Sequence, residues 1–166
     1  MLELLFSFLG IIFSILFSSL EIALLSSNPF QIDVWSKQGS RFSSLSQKII
    51  KEKEIFLFLI LIGTNVSNIV ATTFATLHFL SVGWNNFSII ILISIIILIF
   101  GEILPKTFIK NHANIGLVFL SPLLMIMYYL FYPLIILIVK LKWLEIYKNI
   151  SDEQKRQNLQ STFEQV

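Results

Sequence analysis

Three long apolar runs constrain this chain more than any other feature of its sequence. They cover residues 4–30, 55–80 and 87–104, and the only Asp, Glu, Lys or Arg residues within them are Glu21 and Glu102. A helix needs about 20 predominantly apolar residues to cross the hydrocarbon core of a bilayer. The runs therefore predict an all-α integral membrane protein with three transmembrane helices.

The composition supports this class and excludes several others. Of the 166 residues, 55% are hydrophobic and only 13% are charged, which lies outside the range of soluble globular domains. The chain has no cysteine, so disulfides, thiol catalysis and zinc–thiolate sites are excluded. A net charge of +2 gives no reason to expect nucleic acid as a partner. We find no nucleophile–base pair and no Gly-rich phosphate loop, so we expect no enzyme activity.

The distribution of the basic residues predicts the topology. Five of the 12 Lys and Arg residues lie between the first and second runs, two follow the third run, and five lie after residue 139. With three crossings they all lie on one side of the membrane, which the positive-inside rule makes cytosolic. We therefore expect a protein of the plasma or inner membrane, with the N-terminus and the 81–86 loop outside and the C-terminus in the cytosol.

A fourth apolar run, residues 115–139, is interrupted by Pro122 and Pro133. If this run crossed the membrane, the five basic residues after it would lie outside. We therefore expect it to enter and return as a proline-bent juxtamembrane helical hairpin or belt, packed against the other helices. A plain fourth crossing helix is the alternative. Residues 1–142 would form the membrane domain and residues 143–166 a cytosolic tail or linker.

The flanks of the first run also carry structural signals. Only Glu3 and no basic residue precedes the run, which is also long for a signal core, so we expect a retained helix instead of a cleaved signal peptide. The polar segment that follows, residues 31–54, contains Gly39-Ser40, which predicts a turn between two short amphipathic helices.

Glu102 is the polar residue that most needs an explanation. A carboxylate within a membrane span costs roughly 2.5–3.5 kcal/mol on insertion scales, so it is usually functional or paired. Three residues later, Pro105 lacks the N–H that would bond to the carbonyl of Gly101, and its ring clashes with that carbonyl. We expect the helix to end or kink here. The freed carbonyl and the carboxylate would then offer hard oxygen ligands to a hard cation.

The other two runs also contain oxygen-bearing and small residues. Small residues recur every four positions in the second run, a pattern that lets another helix approach closely. In the first run we expect Glu21 to have a structural role near the basic side. The polar residues could simply hold helices together. Their convergence on three spans instead favours an all-oxygen site, which suits Mg²⁺ better than softer metals. The small residues are Gly63, Ser67, Ala71 and Ala75, and the polar candidates are Ser18, Asn65 and Asn68.

Three motifs in order resemble a known family. They are FSSLEIA at residues 17–23, IGTNVSNI at residues 62–69 and GEILPKT at residues 101–107. Over about residues 1–145 the chain resembles the transmembrane (DUF21) domain of the CNNM/CorC family of magnesium transporters. The resemblance implies a homodimer with three crossing helices and a cytosolic helical belt in each subunit. It also implies Mg²⁺ export by alternating access, coupled to Na⁺ entry.

The resemblance also implies an ion site on the three helices. Two positions depart from the pattern, because Ser19 stands where glycine is usual and Thr64 where asparagine is frequent. Family members normally continue into a pair of CBS modules, before which this chain stops. The alternative function is therefore a non-transporting membrane scaffold or regulatory module acting on another transporter, and a separate cytosolic regulatory chain is a candidate partner. Carried over, the ligand set is Ser18, Gly63, Asn65, Ser67, Asn68, Gly101 and Glu102.

Overall fold

A computed structural model describes residues 1–133, 135 and 136, and within them every regular element is helical. The chain divides into two compact units, residues 1–127 and 128–166, and the contacts described below belong to the first. The helices are α1 (Leu2–Ser26), α2 (Pro29–Lys37), α3 (Arg41–Lys51), α4 (Lys53–Ser81), α5 (Asn86–Ile96), a π-helical segment (Ile97–Ile103), α6 (Leu104–Lys110) and α7 (Ala113–Leu130). The predicted all-α membrane class is confirmed.

Helices α1 and α4 pack with their backbones in close contact. A Cβ atom on Gly10 of α1 would lie 2.7 Å from the Ala71 nitrogen of α4, so only glycine fits there. The Ser7 hydroxyl donates to the Ala71 carbonyl at 3.0 Å. Gly63 is covered in the same way by the ring of Phe17. The small-residue stripe of the second run is buried, and it serves close helix packing as predicted.

The polar segment after α1 forms two short helices. Helix α1 ends at Ser26, short of the end of the apolar run, because Asn28 caps a new helix and accepts from the Phe30 N–H at 3.0 Å. Gly39 has a positive φ of 90°, and Ser40 then caps α3. The predicted turn between two short helices is confirmed.

The third run forms one continuous helix over Asn86–Lys110. It does not end at Pro105, so this half of the expectation is wrong, and the expected kink stays a prediction. Instead the helix widens into a π-helix before the proline, where the Leu104 N–H bonds to the Ile99 carbonyl five residues back. The extra residue in the wide turn shifts the hydrogen-bond register just before a residue that cannot donate.

Helix α7 continues through Pro122 without a break, and the bend expected at this proline stays a prediction. In an α-helix the N–H of residue 122 would bond to the Val118 carbonyl, and proline has none. The Ser121 hydroxyl lies 2.9 Å from that carbonyl and replaces the missing donor. The same hydroxyl lies 3.2 Å from the Phe42 carbonyl of α3.

Four helices are long and apolar enough to cross a membrane, where the sequence suggested three and a hairpin: α1, α4, Asn86–Lys110 and α7. Length and composition define these candidates only, so the expectation that residues 115–139 do not cross stays a prediction. Residues 134 and 137–139 of that run, and the tail at 143–166, lie outside the described residues.

Candidate cation site

Three helices contribute to one chain of polar side chains around Glu102. The Glu102 carboxylate, on the π-helical segment, accepts from the Asn68 amide of α4 at 3.4 Å. The side-chain amide oxygen of Asn68 (Oδ1) accepts in turn from the Ser14 hydroxyl of α1 at 2.6 Å. Ser14 is fully buried, whereas Glu102 and Asn68 are partly buried. The arrangement brings a carboxylate, an amide and a hydroxyl together where the three helices meet.

The sequence analysis missed Ser14. Its position is made possible by Gly101, because a Cβ atom there would lie 2.9 Å from the Ser14 hydroxyl oxygen. Gly101 therefore supplies the clearance that the Ser14 hydroxyl needs. Ser14 lies four residues before Ser18, and this helical spacing was the available signal for it.

Ser18 is the other fully buried hydroxyl of this face, and it has no hydrogen-bond partner among the described residues. A buried hydroxyl without a partner costs about 1–3 kcal/mol, so each such group needs an explanation. Ser18 lies one helical turn from Ser14, on the face of α1 that carries the polar chain. Its oxygen is therefore available to a ligand at this position.

The remaining predicted residues do not join this chain. Asn65 is exposed and donates to the Leu61 carbonyl of its own helix at 2.9 Å. Ser67 is buried and donates to the Gly63 carbonyl at 2.7 Å, although its lone pairs stay available. Of the two candidate asparagines, the structure places Asn68 beside Glu102.

Glu21 and Lys106 form an ion pair between α1 and α6. Their carboxylate oxygen and ammonium nitrogen lie 3.0 Å apart. Glu21 thus has the structural contact expected of it, and Lys106 reaches back to α1, although a lysine at a span edge more often extends to the lipid headgroups. No ion pair joins Glu102 to any residue that the structure describes. The Glu102 carboxylate therefore has no cationic partner in the described part of the chain.

The donor set favours a weakly held hard cation. In the described part of the chain, no three His, Asp or Glu residues come together as a metal cluster would require. One carboxylate with neutral amide, hydroxyl and carbonyl oxygens is the chemistry that suits Mg²⁺, which keeps part of its water shell. A site of few charges also lets an ion leave, as conduction and transport require.

These observations define a helical integral membrane protein with a polar, oxygen-lined cluster between its helices. The family model of the cyclin M transmembrane N-terminal domain matches residues 5–164, and the chain belongs to this family.

Two bacterial relatives extend the comparison. A UPF0053 protein of Haemophilus influenzae is 32% identical over 128 residues, which is 75% of this chain and 30% of the relative. The UPF0053 inner membrane protein YfjD of Escherichia coli is 28% identical over 94 residues, which is 55% of this chain and 22% of the relative. The chain thus spans less than a third of the curated relatives that it matches.

Proposed function

We propose that this protein transports a divalent cation, with Mg²⁺ as the substrate, and that Glu102 is its charged ligand. The single observation that carries the proposal is the polar chain from Ser14 through Asn68 to Glu102, which ends on a carboxylate with no cationic partner among the described residues. The unpartnered hydroxyl of Ser18 on the same face of α1 adds a free oxygen. These groups supply hard oxygens and almost no charge, which fits an ion that must bind and leave.

The proposed mechanism is export by alternating access, driven by Na⁺ entry. Glu102 would bind the cation, and Asn68 would hold the carboxylate in place while the oxygens of Ser14 and Ser18 replace part of the water shell. Gly101 keeps the space beside Ser14 open. A second occupant of the same oxygen set, Na⁺, would compete with Mg²⁺ because both are hard cations.

The assembly that we propose is a homodimer with the N-terminus outside and the C-terminus in the cytosol. Five basic residues of the segment between α1 and α4 support this orientation, because the positive-inside rule places them in the cytosol. The Mg²⁺ specificity, the Na⁺ coupling and the dimer are proposals taken from the family resemblance.

The test is Mg²⁺ flux in liposomes that contain the purified full chain, with and without an opposing Na⁺ gradient. Glu102→Gln keeps the shape of the side chain and removes its charge. We expect flux that follows the Na⁺ gradient and falls to the level of empty liposomes in the variant. Normal transport by Glu102→Gln would show that the site is assigned wrongly.

Glu3→Gln provides the matched control. Glu3 lies at the other end of α1, where its carboxylate is 3.4 Å from the His78 ring nitrogen, and it takes no part in the polar chain. We expect this variant to transport as the unmodified chain does. If the unmodified chain folds and gives no flux, the scaffold or regulatory-module alternative is favoured, and co-purification of a partner would support it.

A further inference from the structure

A polar recess of about 290 Å³ lies where α1 ends and α6 gives way to α7. Trp35 of α2 lines one side, and Lys110, Asn111 and His112 line the other. The start of α7 is fixed against the loop before α2, because Asn114 accepts from the Asn28 N–H at 2.7 Å. A hydrogen bond between two segments of the fold therefore holds this recess in place.

The recess is cationic and rich in donors. None of the described residues that line it is acidic. Lys110 and His112 are exposed, and neither they nor the indole of Trp35 have a side-chain hydrogen bond or ion pair within the described part of the chain. Residues that carry an ammonium, an imidazole and an indole N–H thus line one space. This is the chemistry that binds a phosphate group.

An apolar groove of about 530 Å³ adjoins the recess through a shared residue, His112. Its walls are Phe100, Leu104 and Phe108 on one side and Ile15 on α1 on the other. Ser26 lines the recess at the end of α1, and the helical rise places it about 16 Å from Ile15 along the axis. The groove therefore extends away from the polar end of the helix, along its apolar length.

We propose that one anionic phospholipid occupies both spaces, with its headgroup phosphate in the recess and one acyl chain in the groove. The positive lining complements an anionic headgroup, and a tryptophan beside lysine is typical of the membrane interface. Phe108, at the groove, is 76% exposed, and the acyl chain of the lipid would cover it. The site is separate from the Glu102 cluster, so the proposal does not depend on transport.

The combination of the two spaces favours a lipid over the other occupants. A free phosphate would use the recess and leave the groove empty. A second copy of the chain would cover the groove and has no need of an unpaired cation at one end. A phospholipid satisfies both surfaces at once, because its phosphate and its acyl chain are joined.

The first experiment is native mass spectrometry of the full chain, released from mixed micelles with equal amounts of phosphatidylglycerol and phosphatidylcholine. We expect the unmodified protein to retain phosphatidylglycerol preferentially. Lys110→Gln should lower that preference about fivefold, since one basic residue near an anionic surface contributes on that order. The matched control is Lys51→Gln, an exposed lysine outside the recess, which should leave the preference unchanged.

The second experiment separates the occupants. Ser19→Trp fills the groove from α1, and it should lower retention of both lipids while the headgroup preference remains. Millimolar inorganic phosphate should not displace phosphatidylglycerol. The proposal is overturned if the unmodified protein has no headgroup preference, if phosphate displaces the lipid, or if Ser19→Trp reduces the dimer and leaves lipid retention unchanged. A melting curve of each variant in the same micelles, together with Lys110→Arg, which keeps the charge, separates binding from misfolding.

Discussion

Pro105 and Pro122 create the same chemical deficit in two apolar helices, and the chain resolves it in two different ways. Before Pro105 the helix widens into the π-helical segment Ile97–Ile103. At Pro122 the α-helix continues without a break, and the Ser121 hydroxyl bonds to the carbonyl that the proline leaves without a donor. The backbone compensates for the missing N–H at Pro105 by forming a π turn, and a neighbouring side chain compensates for it at Pro122.

The two prolines also differ in what the residues beside them contact. The widened turn contains Glu102, and it presents the carboxylate to Asn68 of α4. The repair at Ser121 instead preserves a regular helix that packs on α3, where the same hydroxyl approaches the Phe42 carbonyl. π-turns are rare and occur frequently at functional sites, and this contrast associates the irregular helix with the proposed ion site.

Among the variants that test this contrast, replacing Pro105 by alanine gives the largest expected effect. The variant restores an N–H, so we expect the π turn to revert to an α turn and Glu102 to rotate by about 100° relative to the residues after it. Mg²⁺ flux in liposomes should fall roughly a hundredfold, as for other displaced reactive groups. Its melting temperature should not fall, because a helix gains from replacing proline. Unchanged flux would show that transport does not depend on the π turn.

The next effect should distinguish the two asparagines of α4. Asn68→Ala removes the amide that holds Glu102 and leaves the Ser14 hydroxyl without its acceptor, and we expect Mg²⁺ flux to fall about tenfold. Asn65→Ala is the matched control, because its amide bonds only to its own helix. The same flux assay measures both. Equal losses would contradict the placement of Asn68 alone at the site.

A smaller effect is expected at the regular helix. Ser121→Ala leaves the Val118 carbonyl without its donor, and we expect a loss of about 1 kcal/mol in the free energy of unfolding. Unfolding by a denaturing detergent, followed by circular dichroism, would measure it. Mg²⁺ flux should remain normal, in contrast to Pro105→Ala.

The smallest effect should come from Pro122→Ala combined with Ser121→Ala. With an alanine at 122 the backbone N–H can bond to Val118, so the loss caused by Ser121→Ala should shrink by roughly half a kcal/mol or more. The double-mutant cycle measures this coupling. Independent, additive losses would mean that the serine does not compensate for the proline.

Much of the fold was accessible from the sequence because apolar length and turn chemistry act locally. The spans of α1, α4 and the third helix follow from their runs, and Gly39-Ser40 marked the turn between α2 and α3. The same rule was applied to both prolines, and the helix neither ends at Pro105 nor breaks at Pro122. The rule describes the missing N–H, whereas the result depends on what surrounds the freed carbonyl. At Pro122 that includes the adjacent serine and its contact with α3.

The candidate site was only partly accessible. Glu102 and Gly101 were identified because a charge in an apolar run is conspicuous. Ser14 was missed because a lone serine in a membrane helix usually bonds to its own backbone, and only the approach of Gly101 and Asn68 gives it another role. Asn65 and Asn68 are three residues apart on one helix, so the sequence could not decide which of them meets Glu102. The rotation of α4 against α1 determines which of the two asparagines meets Glu102.

For the proposed transport, the ion pair between Glu21 and Lys106 would have an electrical consequence. Because those two charges cancel, the proposed site carries the single negative charge of Glu102. With Mg²⁺ bound the site has a net charge of +1, and with one Na⁺ bound its net charge is zero. The membrane potential then acts on the first state and not on the second, at about 2.3 kcal/mol per 100 mV for a full crossing of one charge. An inside-negative voltage would therefore oppose the Mg²⁺-loaded step of export, and it would leave the return with one Na⁺ unaffected.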